Sequence, residues 1–190
     1  MTDSAPLLVG PGGTLRENSR TRAALHTALG IAQAHGANIE LLDLRELDLP
    51  MYVPDWAIEE YPPHQRASLT RFIDTCRRAD AMLWASPTYH GTISGVLKNA
   101  LDHIELMSDD TPPYLQGRAV GLIAVADSLT FGAMANAVYE LRAWLAPTRV
   151  TLSRADFDAN FRLANPRAER HLARLVDELL EFAAFRRSRL

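Results

Sequence analysis

The 190-residue sequence has a single cysteine and no apolar run that approaches the length of a membrane-spanning helix. One thiol excludes an internal disulfide and fits a reducing compartment. Cys76 falls within a helical pattern, so we interpret it as a buried structural thiol. A bilayer crossing needs ~20 consecutive apolar residues, and the amino terminus lacks the apolar core of a signal peptide. We therefore expect a cytoplasmic protein that does not insert into a membrane.

An excess of positive charge is also missing. The 20 Lys and Arg residues stand against 23 Asp and Glu residues, which gives a formal net charge of −3. Nucleic-acid-binding proteins need a basic excess to neutralise phosphates, so this balance argues against a nucleic-acid partner. The histidines lack the paired spacing of a metal site, and no metal is expected. The five histidines other than His90 are predicted to lie on helix surfaces: His26, His35, His64, His103 and His171.

Short apolar runs alternate with longer amphipathic stretches, which is the pattern of a parallel sheet with helical crossovers. The predicted strands cover residues 6–9, 39–44, 81–85, 119–126 and 149–152. The predicted helices cover residues 19–36, 64–78, 96–104, 131–145 and 166–186. Residues 50–63 carry four prolines and are predicted to be a long irregular connection. The sequence thus predicts an α/β fold in one domain, residues 1–190.

The segment after the first predicted strand has the composition of a phosphate-binding loop. In an open parallel sheet, ligands bind beyond the carboxyl ends of the strands, where the strand order reverses. Residues 12–21 read GGTLRENSRT and lead into a helix. Glycines permit tight turns, hydroxyls and free helix N–H groups donate to anions, and Arg16 adds a cation. The alternative, in which Ser19 only caps the helix and Arg16 is solvated, stays open.

Two better-known phosphate loops do not fit this segment. The dinucleotide-binding fingerprint beginning at Gly10 needs glycine or alanine where the chain has Leu15. The Walker pattern needs Gly-Lys followed by Ser or Thr, which occurs nowhere in the sequence. A small phosphate held by side-chain hydroxyls is the better fit.

A second informative loop follows the third predicted strand. Residues 86–102 read SPTYHGTISGVLKNALD. Proline and glycine fix an unusual backbone path there, so amides can point into the crevice instead of pairing within the sheet. Tyr89 and His90 add flat surfaces and polar edges. Together the two loops predict one site with a phosphate end and a planar, hydrogen-bonding end.

These two motifs resemble those of the NAD(P)H-dependent FMN reductase family, which also includes chromate, quinone and azo reductases. The matching stretches are residues 13–19 and 86–102, and Leu49-Pro50 after the second strand matches as well. The resemblance covers roughly residues 7–152 in the same element order. It implies a flavodoxin-like three-layer α/β/α sandwich with a five-stranded parallel sheet in the order 2-1-3-4-5.

By this resemblance, the cofactor is FMN, with NADPH or NADH as co-substrate. The FMN phosphate is expected against Thr14, Arg16, Ser19, Arg20 and Thr21. The isoalloxazine ring is expected against Pro87, Thr88, Tyr89, His90 and Gly91. The loop after strand four, with Ser128 and Thr130, is expected beside the ring. This loop has one glycine where the family commonly has several, so we expect altered contacts to the ring and less room for nicotinamide.

No side chain is assigned to catalysis, because in flavin enzymes the cofactor carries the chemistry. His90 is interpreted first as a residue of the flavin pocket and second as a proton donor. Lys98, Asn99 and Asp102 match the family's motif, and we interpret them as anchors between the second loop and its helix.

The resemblance implies an oxidoreductase that passes electrons from a reduced nicotinamide through FMN to a small acceptor, such as free flavin or a quinone. A homodimer or homotetramer is expected, with the flavin near the subunit boundary. One alternative is a specialised FMN enzyme that acts on one organic substrate in a biosynthetic pathway. Others are a non-catalytic flavodoxin-type electron carrier, although such carriers are usually strongly acidic, and a flavin-free protein that kept the fold.

Overall fold

The computed structural model describes residues 5–189, so residues 1–4 and 190 of the expected domain lie outside the described residues. The strands are β1 (Leu7–Gly12), β2 (Asn38–Asp43), β3 (Ala81–Pro87), β4 (Ala119–Val125) and β5 (Trp144–Leu152). All neighbouring pairs are parallel, and the sheet order is β2-β1-β3-β4-β5. The flavodoxin-like sheet expected from the sequence is therefore confirmed.

Six α-helices cover the two faces of this sheet within the described residues. They are α1 (Arg20–Ala34), α2 (Leu44–Leu47), α3 (Pro63–Arg78), α4 (Gly95–Asp102), α5 (Thr130–Glu140) and α6 (Pro166–Arg187). Short 3-10 helices occur at Ile58–Glu60, His103–Met107 and Arg154–Asp156. Helices α1 and α6 pack on one face, and α2 to α5 pack on the other. Across residues 5–189, none of the helices has the length and apolar character needed to span a bilayer.

The central strand β3 is buried on both faces, as its continuous apolar run predicts. Its side chains alternate in direction, so Met82 and Trp84 pack under α3 to α5, whereas Leu83 and Ala85 pack under α1 and α6. Cys76 of α3 lies in the first of these two clusters, and burial raises the pKa of its thiol to about 12. Its interpretation as a buried thiol is confirmed.

The boundary between the last crossover helix and β5 differs from the prediction. The helix predicted to reach residue 145 ends at Glu140, and β5 begins at Trp144 instead of residue 149. Arg142 adopts a left-handed φ of +59°, which ends the helical path. Pro147 lies within β5, near a shift in its register against β4, and β5 is an edge strand of the described sheet, where a missing N–H is tolerated.

The proline-bearing connection after β2 is fixed from α4. The Asn99 side chain donates from Nδ2 to the Pro50 carbonyl at 2.8 Å, and its Oδ1 accepts from the Tyr52 N–H at 2.8 Å. Asn99 therefore anchors the loop after β2, and not its own loop as expected. Lys98 and Asp102 form an exposed ion pair one turn apart on α4, a contact that contributes little stability.

His103 is buried, which corrects the expectation that it lies on a helix surface. Its Nε2 lies 2.9 Å from the Pro50 carbonyl oxygen. A carbonyl can only accept, so Nε2 carries the proton. Burial lowers the pKa of His103, and the hydrogen bond to Pro50 and the Asp102 carboxylate oppose that shift. The prediction for His103 was wrong because its place in a helical pattern does not show that a loop distant in sequence covers it. The other four predicted surface histidines, His26, His35, His64 and His171, are exposed.

The chain leaves β4 in a strained conformation. Ala126 has a φ of +108°, where residues other than glycine are rare. Its N–H donates to the Leu152 carbonyl at 2.9 Å, so the pairing of β4 with β5 continues one residue beyond the strand. The sheet hydrogen bond thus holds an alanine where a glycine would be unstrained.

The buried His103 makes the stability of the folded protein decrease as the pH falls. In the unfolded chain the imidazole binds a proton below about pH 6.5, whereas the folded protein resists protonation. The unfolding free energy contributed by this group is therefore full above that pH and is lost as the pH falls. In urea unfolding between about pH 7.5 and about pH 5.5, His103→Gln should show a smaller loss of stability than the wild type. The exposed His64→Gln variant is the control, and equal losses in His103→Gln and wild type would contradict the assignment.

Ala126→Gly should relieve strain and leave the unfolding free energy unchanged or higher by up to about 1 kcal/mol. Ala124→Gly, in the buried interior of β4, should lower it by about 1 kcal/mol or more, because it removes a packed methyl group and increases the entropy of the unfolded chain. Denaturant unfolding of the two variants makes the comparison. Equal destabilisation by both substitutions would show that Ala126 is not strained.

Candidate functional site

A cavity of about 310 Å³ opens beyond the carboxyl ends of β1, β3 and β4. It lies at the point where the strand order reverses between β1 and β3. Eight of the twelve residues expected around the cofactor line it: Thr14, Arg16, Ser19, Arg20, Thr21, Pro87, Thr88 and Tyr89. The cavity therefore brings the two sequence motifs together in space.

The first loop reaches the cavity because it passes very close to the end of β3. The Gly13 N–H donates to the Ala85 carbonyl at 2.9 Å. A Cβ atom at Gly13 would lie 2.7 Å from that carbonyl oxygen and 3.1 Å from the Leu97 side chain. Only glycine fits there without displacing the loop. The loop then turns, and the Thr14 hydroxyl oxygen accepts from the Arg16 N–H at 3.2 Å.

Helix α1 presents unpaired backbone donors at the cavity. Ser19 is its N-cap, with an extended φ of −133° and a side-chain oxygen that accepts from the Arg22 N–H at 3.3 Å. The Ser19 carbonyl accepts from Ala23, which closes the first turn. The amides of Arg20 and Thr21 precede that bond, so they have no partner within the helix. Ser19 thus caps α1, which was the alternative to a role in phosphate binding, and it also lines the cavity.

Arg20 supplies a cation that lacks an anionic partner. Its Nε is buried and forms no hydrogen bond within residues 5–189. An unsatisfied buried donor of this kind costs about 1–3 kcal/mol, so an acceptor is expected beside it. No carboxylate of the described residues forms an ion pair with Arg16 or Arg20. Cations, hydroxyls and helix amides together form a donor set that fits a phosphate monoester.

Two serines hold the base of the second loop. The Ser86 side-chain oxygen accepts from the Ser94 N–H at 3.1 Å and donates to the Pro87 carbonyl at 2.8 Å. Ser94 caps α4 by accepting from the Leu97 N–H at 3.3 Å. The two bonds that involve Ser94 are buried, and all three fix the direction in which Pro87 and Thr88 leave the sheet.

The tip of the second loop is a tight two-residue turn. Tyr89 and Thr92 exchange backbone hydrogen bonds of 3.0 and 3.1 Å, and His90 and Gly91 between them have φ values of +51° and +80°. Positive φ at both central residues is the requirement of a type I′ turn. The turn exposes His90 and Gly91, which do not line the 310 Å³ cavity.

Beyond Ala126, the loop after β4 also lies outside the lining of this cavity. Ser128 is exposed, whereas Thr130 is fully buried at the start of α5, with no hydrogen bond to its hydroxyl among the described residues. The loop is tied to the second motif because the Thr88 hydroxyl donates to the Asp127 carbonyl at 3.3 Å. A contact of Ser128 or Thr130 with a flavin ring stays a prediction.

Four lining residues were not predicted from the sequence: Asn18, Val125, Ala126 and Phe161. Asn18 lies inside the first motif and could have been predicted from it. Val125 and Ala126 end a predicted strand, and the position of that strand end could have identified them. Phe161 comes from beyond β5, in a segment without a recognised motif. In the part of the chain that the structure describes, no three His, Cys, Asp or Glu side chains are grouped as a metal site requires.

Comparison of the amino-acid sequence with known proteins identifies the family of the chain. The sequence model described as NADPH-dependent FMN reductase matches residues 8–159. An NAD(P)H-dependent FMN reductase of Pseudomonas aeruginosa is 39% identical over 102 residues, which are 54% of this chain and 51% of that protein. The match thus spans about half the length of that relative. An FMN-dependent NADPH-azoreductase of Staphylococcus saprophyticus is 28% identical over 180 residues, 90% of this chain and 91% of that protein.

Solved structures show the same fold. The flavoenzyme NAD(P)H:(acceptor) oxidoreductase FerB of Paracoccus denitrificans aligns with a TM-score of 0.74 at 18% identity, over 95% of this chain and 98% of that one. RosB aligns with a TM-score of 0.74 at 17% identity, over 97% of this chain and 81% of that one. The resemblance carried by the two loop motifs is confirmed, and the chain belongs to the NADPH-dependent FMN reductase family.

Proposed function

We propose that this protein binds FMN non-covalently and passes electrons from NADPH or NADH to a small acceptor. The observation that carries the proposal is the phosphate-sized donor set at the start of α1, where the buried Arg20 Nε has no partner among residues 5–189. Membership of the family supplies the identity of the flavin. The expected single-domain organisation, residues 1–190, is kept as part of the proposal.

The chain's own residues bind and orient the cofactor. Arg16 and Arg20 neutralise the phosphate charge, while the hydroxyls and amides near Thr14 and Thr21 donate to its oxygens. At the other end, Pro87, Thr88, Tyr89, His90 and Gly91 border the ring, and the loop with Ser128 and Thr130 closes beside it. When bound, FMN supplies the redox chemistry, which is two-electron exchange between a reduced nicotinamide and an acceptor.

The surroundings of the cavity favour a flat, uncharged acceptor. Four loops at the carboxyl edge of the sheet each expose a large apolar side chain: Leu15 (60% exposed), Met51 (75%), Tyr89 (41%) and Leu129 (64%). These loops follow β1, β2, β3 and β4, which are neighbours in the sheet. Tyr89 lines the cavity, and the other three belong to loops at the same edge of the sheet; an apolar rim of this kind suits a quinone or the ring of free flavin.

A second subunit is the other occupant that such a rim suits, since exposed apolar side chains often mark protein interfaces. We keep a homodimer or homotetramer as part of the proposal for that reason. The apolar face of α6, by contrast, packs within the same chain on β5 and α1 and offers no support. A cytoplasmic location remains part of the proposal and accords with the buried unpaired thiol of Cys76.

One observation favours a more specialised enzyme. The loop after β4, residues 126–129, has a strained alanine and no glycine, and Gly132 lies in α5, whereas the family's glycine-rich stretch would give the nicotinamide more room. A structural neighbour, RosB, was solved with 8-demethyl-8-formylriboflavin-5'-phosphate described as a bound intermediate. The second candidate function is therefore an FMN-type enzyme that acts on one organic substrate. A flavodoxin-type carrier is less well supported, because the net charge is only −3.

Anaerobic stopped-flow measurements separate these functions. The FMN-loaded protein should be reduced by NADPH or NADH and reoxidised by several quinones or by free FMN, with parallel-line steady-state kinetics. Reduction by a nicotinamide followed by reoxidation with one organic substrate alone would support the specialised enzyme. FMN binding without reduction by either nicotinamide would support a carrier. Colourless protein that fails to bind added FMN would overturn every one of these functions.

A further inference from the structure

Phe161 occupies an unfavourable backbone conformation at the edge of the cavity. It lies between β5 and α6, has a φ of +61°, and is half-buried. A left-handed conformation is rare for a bulky aromatic residue and is the kind of position at which glycine is unstrained. Strain of this type persists only where the surrounding structure fixes it, and it is concentrated at functional sites.

The turn that holds Phe161 is closed by its own hydrogen bonds. The Asp158 carboxylate accepts from the amides of Asn160 at 2.9 Å and Arg162 at 2.8 Å. The Phe161 N–H donates to the Asp158 carbonyl at 3.1 Å, and the Asp158 N–H donates to the Arg162 carbonyl at 2.9 Å. These four bonds determine the left-handed conformation independently of the phenyl ring.

A second aspartate fixes the turn to the rest of the chain. Asp156 accepts from the Ser153 amide at 2.6 Å and from the Asn165 side chain at 2.5 Å. Burial would raise the pKa of Asp156, but these hydrogen bonds outweigh it and lower the pKa. The lowered pKa favours the ionised carboxylate, which joins the turn to Ser153 and Asn165 at the carboxyl end of β5.

The phenyl ring contacts the cation of the phosphate site. The guanidinium carbon of Arg20 lies 4.8 Å from the centroid of the Phe161 ring, within the range of a cation–π interaction. A carboxylate in this place would hold Arg20 but would also neutralise it. An aromatic face orients the guanidinium and leaves its full charge for an anion. Phe161 lines the cavity together with Arg20, so ring and cation border the same space.

We propose that Phe161 is a positioning residue for the flavin phosphate, which acts by holding the Arg20 guanidinium toward the cavity. This inference rests on the proposed function, because it takes the ligand to be FMN. The strained turn is retained because it places the ring on Arg20. A glycine at this position would give a more stable fold and a weaker phosphate site.

A comparison of FMN binding with riboflavin binding tests this inference. Riboflavin is FMN without the phosphate, so a residue that acts through Arg20 affects FMN and spares riboflavin. Flavin fluorescence titration should give a Kd for FMN about tenfold higher for Phe161→Gly than for the wild type. The Kd for riboflavin should stay within about twofold. Urea unfolding of Phe161→Gly should show equal or greater stability than the wild type, which excludes misfolding as the cause.

Matched variants isolate the stacking contact. Phe185 of α6 and Arg189, beyond the end of that helix, form the same type of contact at 4.8 Å outside the cavity lining, so Phe185→Ala should leave FMN binding unchanged while Phe161→Ala weakens it. Phe161→Tyr keeps the ring and should restore wild-type affinity. Arg20→Ala should weaken FMN binding, and adding Phe161→Ala to it should have little further effect.

The outcomes distinguish this inference from the function on which it rests. If wild-type protein binds FMN and Phe161→Gly binds it equally well, the role of Phe161 is refuted and the proposed function stands. If the variant loses FMN and riboflavin affinity to the same degree, Phe161 supports the flavin ring or the loop, and the inference also fails. If the wild type binds neither flavin, both proposals fail.

Discussion

The whole site depends on how closely the end of β1 approaches the end of β3. The hydrogen bond from Gly13 to the Ala85 carbonyl leaves no room for a Cβ atom at Gly13. This contact carries the first loop across the end of the sheet and sets where α1 begins. Because the second motif leaves β3 at the same place, the two loops border one cavity. A side chain at residue 13 would separate a phosphate site from a planar site that must act together.

Around that contact, the carboxyl edge of the sheet carries unrelieved charge and backbone strain. Arg20 has a buried donor without a partner among residues 5–189, and His90, Ala126 and Phe161 have positive φ values although none is glycine. Each of these conformations is held by hydrogen bonds that lie outside the side chain concerned. Arg20, Ala126 and Phe161 line the cavity, so the costs of the unpaired donor and of backbone strain fall on the candidate binding site.

Local signals in the sequence predict much of this arrangement. The apolar run of β3 and the loop motifs at residues 12–21 and 86–102 give the sheet, the cavity and most of its lining, because each depends on neighbouring residues. The start of β5 was not predicted, and the presence of Pro147 within that strand depends on its position at the edge of the sheet. His103 and Phe161 were missed for a related reason. One is covered by a loop distant in sequence, and the other reaches Arg20 across the fold. Such contacts are properties of the tertiary structure.

The central claim is that the start of α1 and the first loop form the phosphate site of a flavin. A crystal structure of the protein with FMN tests this claim most directly. The account predicts the phosphate among residues 14–21, with an oxygen accepting from the Arg20 Nε, and the flavin ring beside Pro87, Thr88 and Tyr89. A phosphate bound elsewhere, or an Arg20 Nε that remains without an acceptor in the complex, would contradict it.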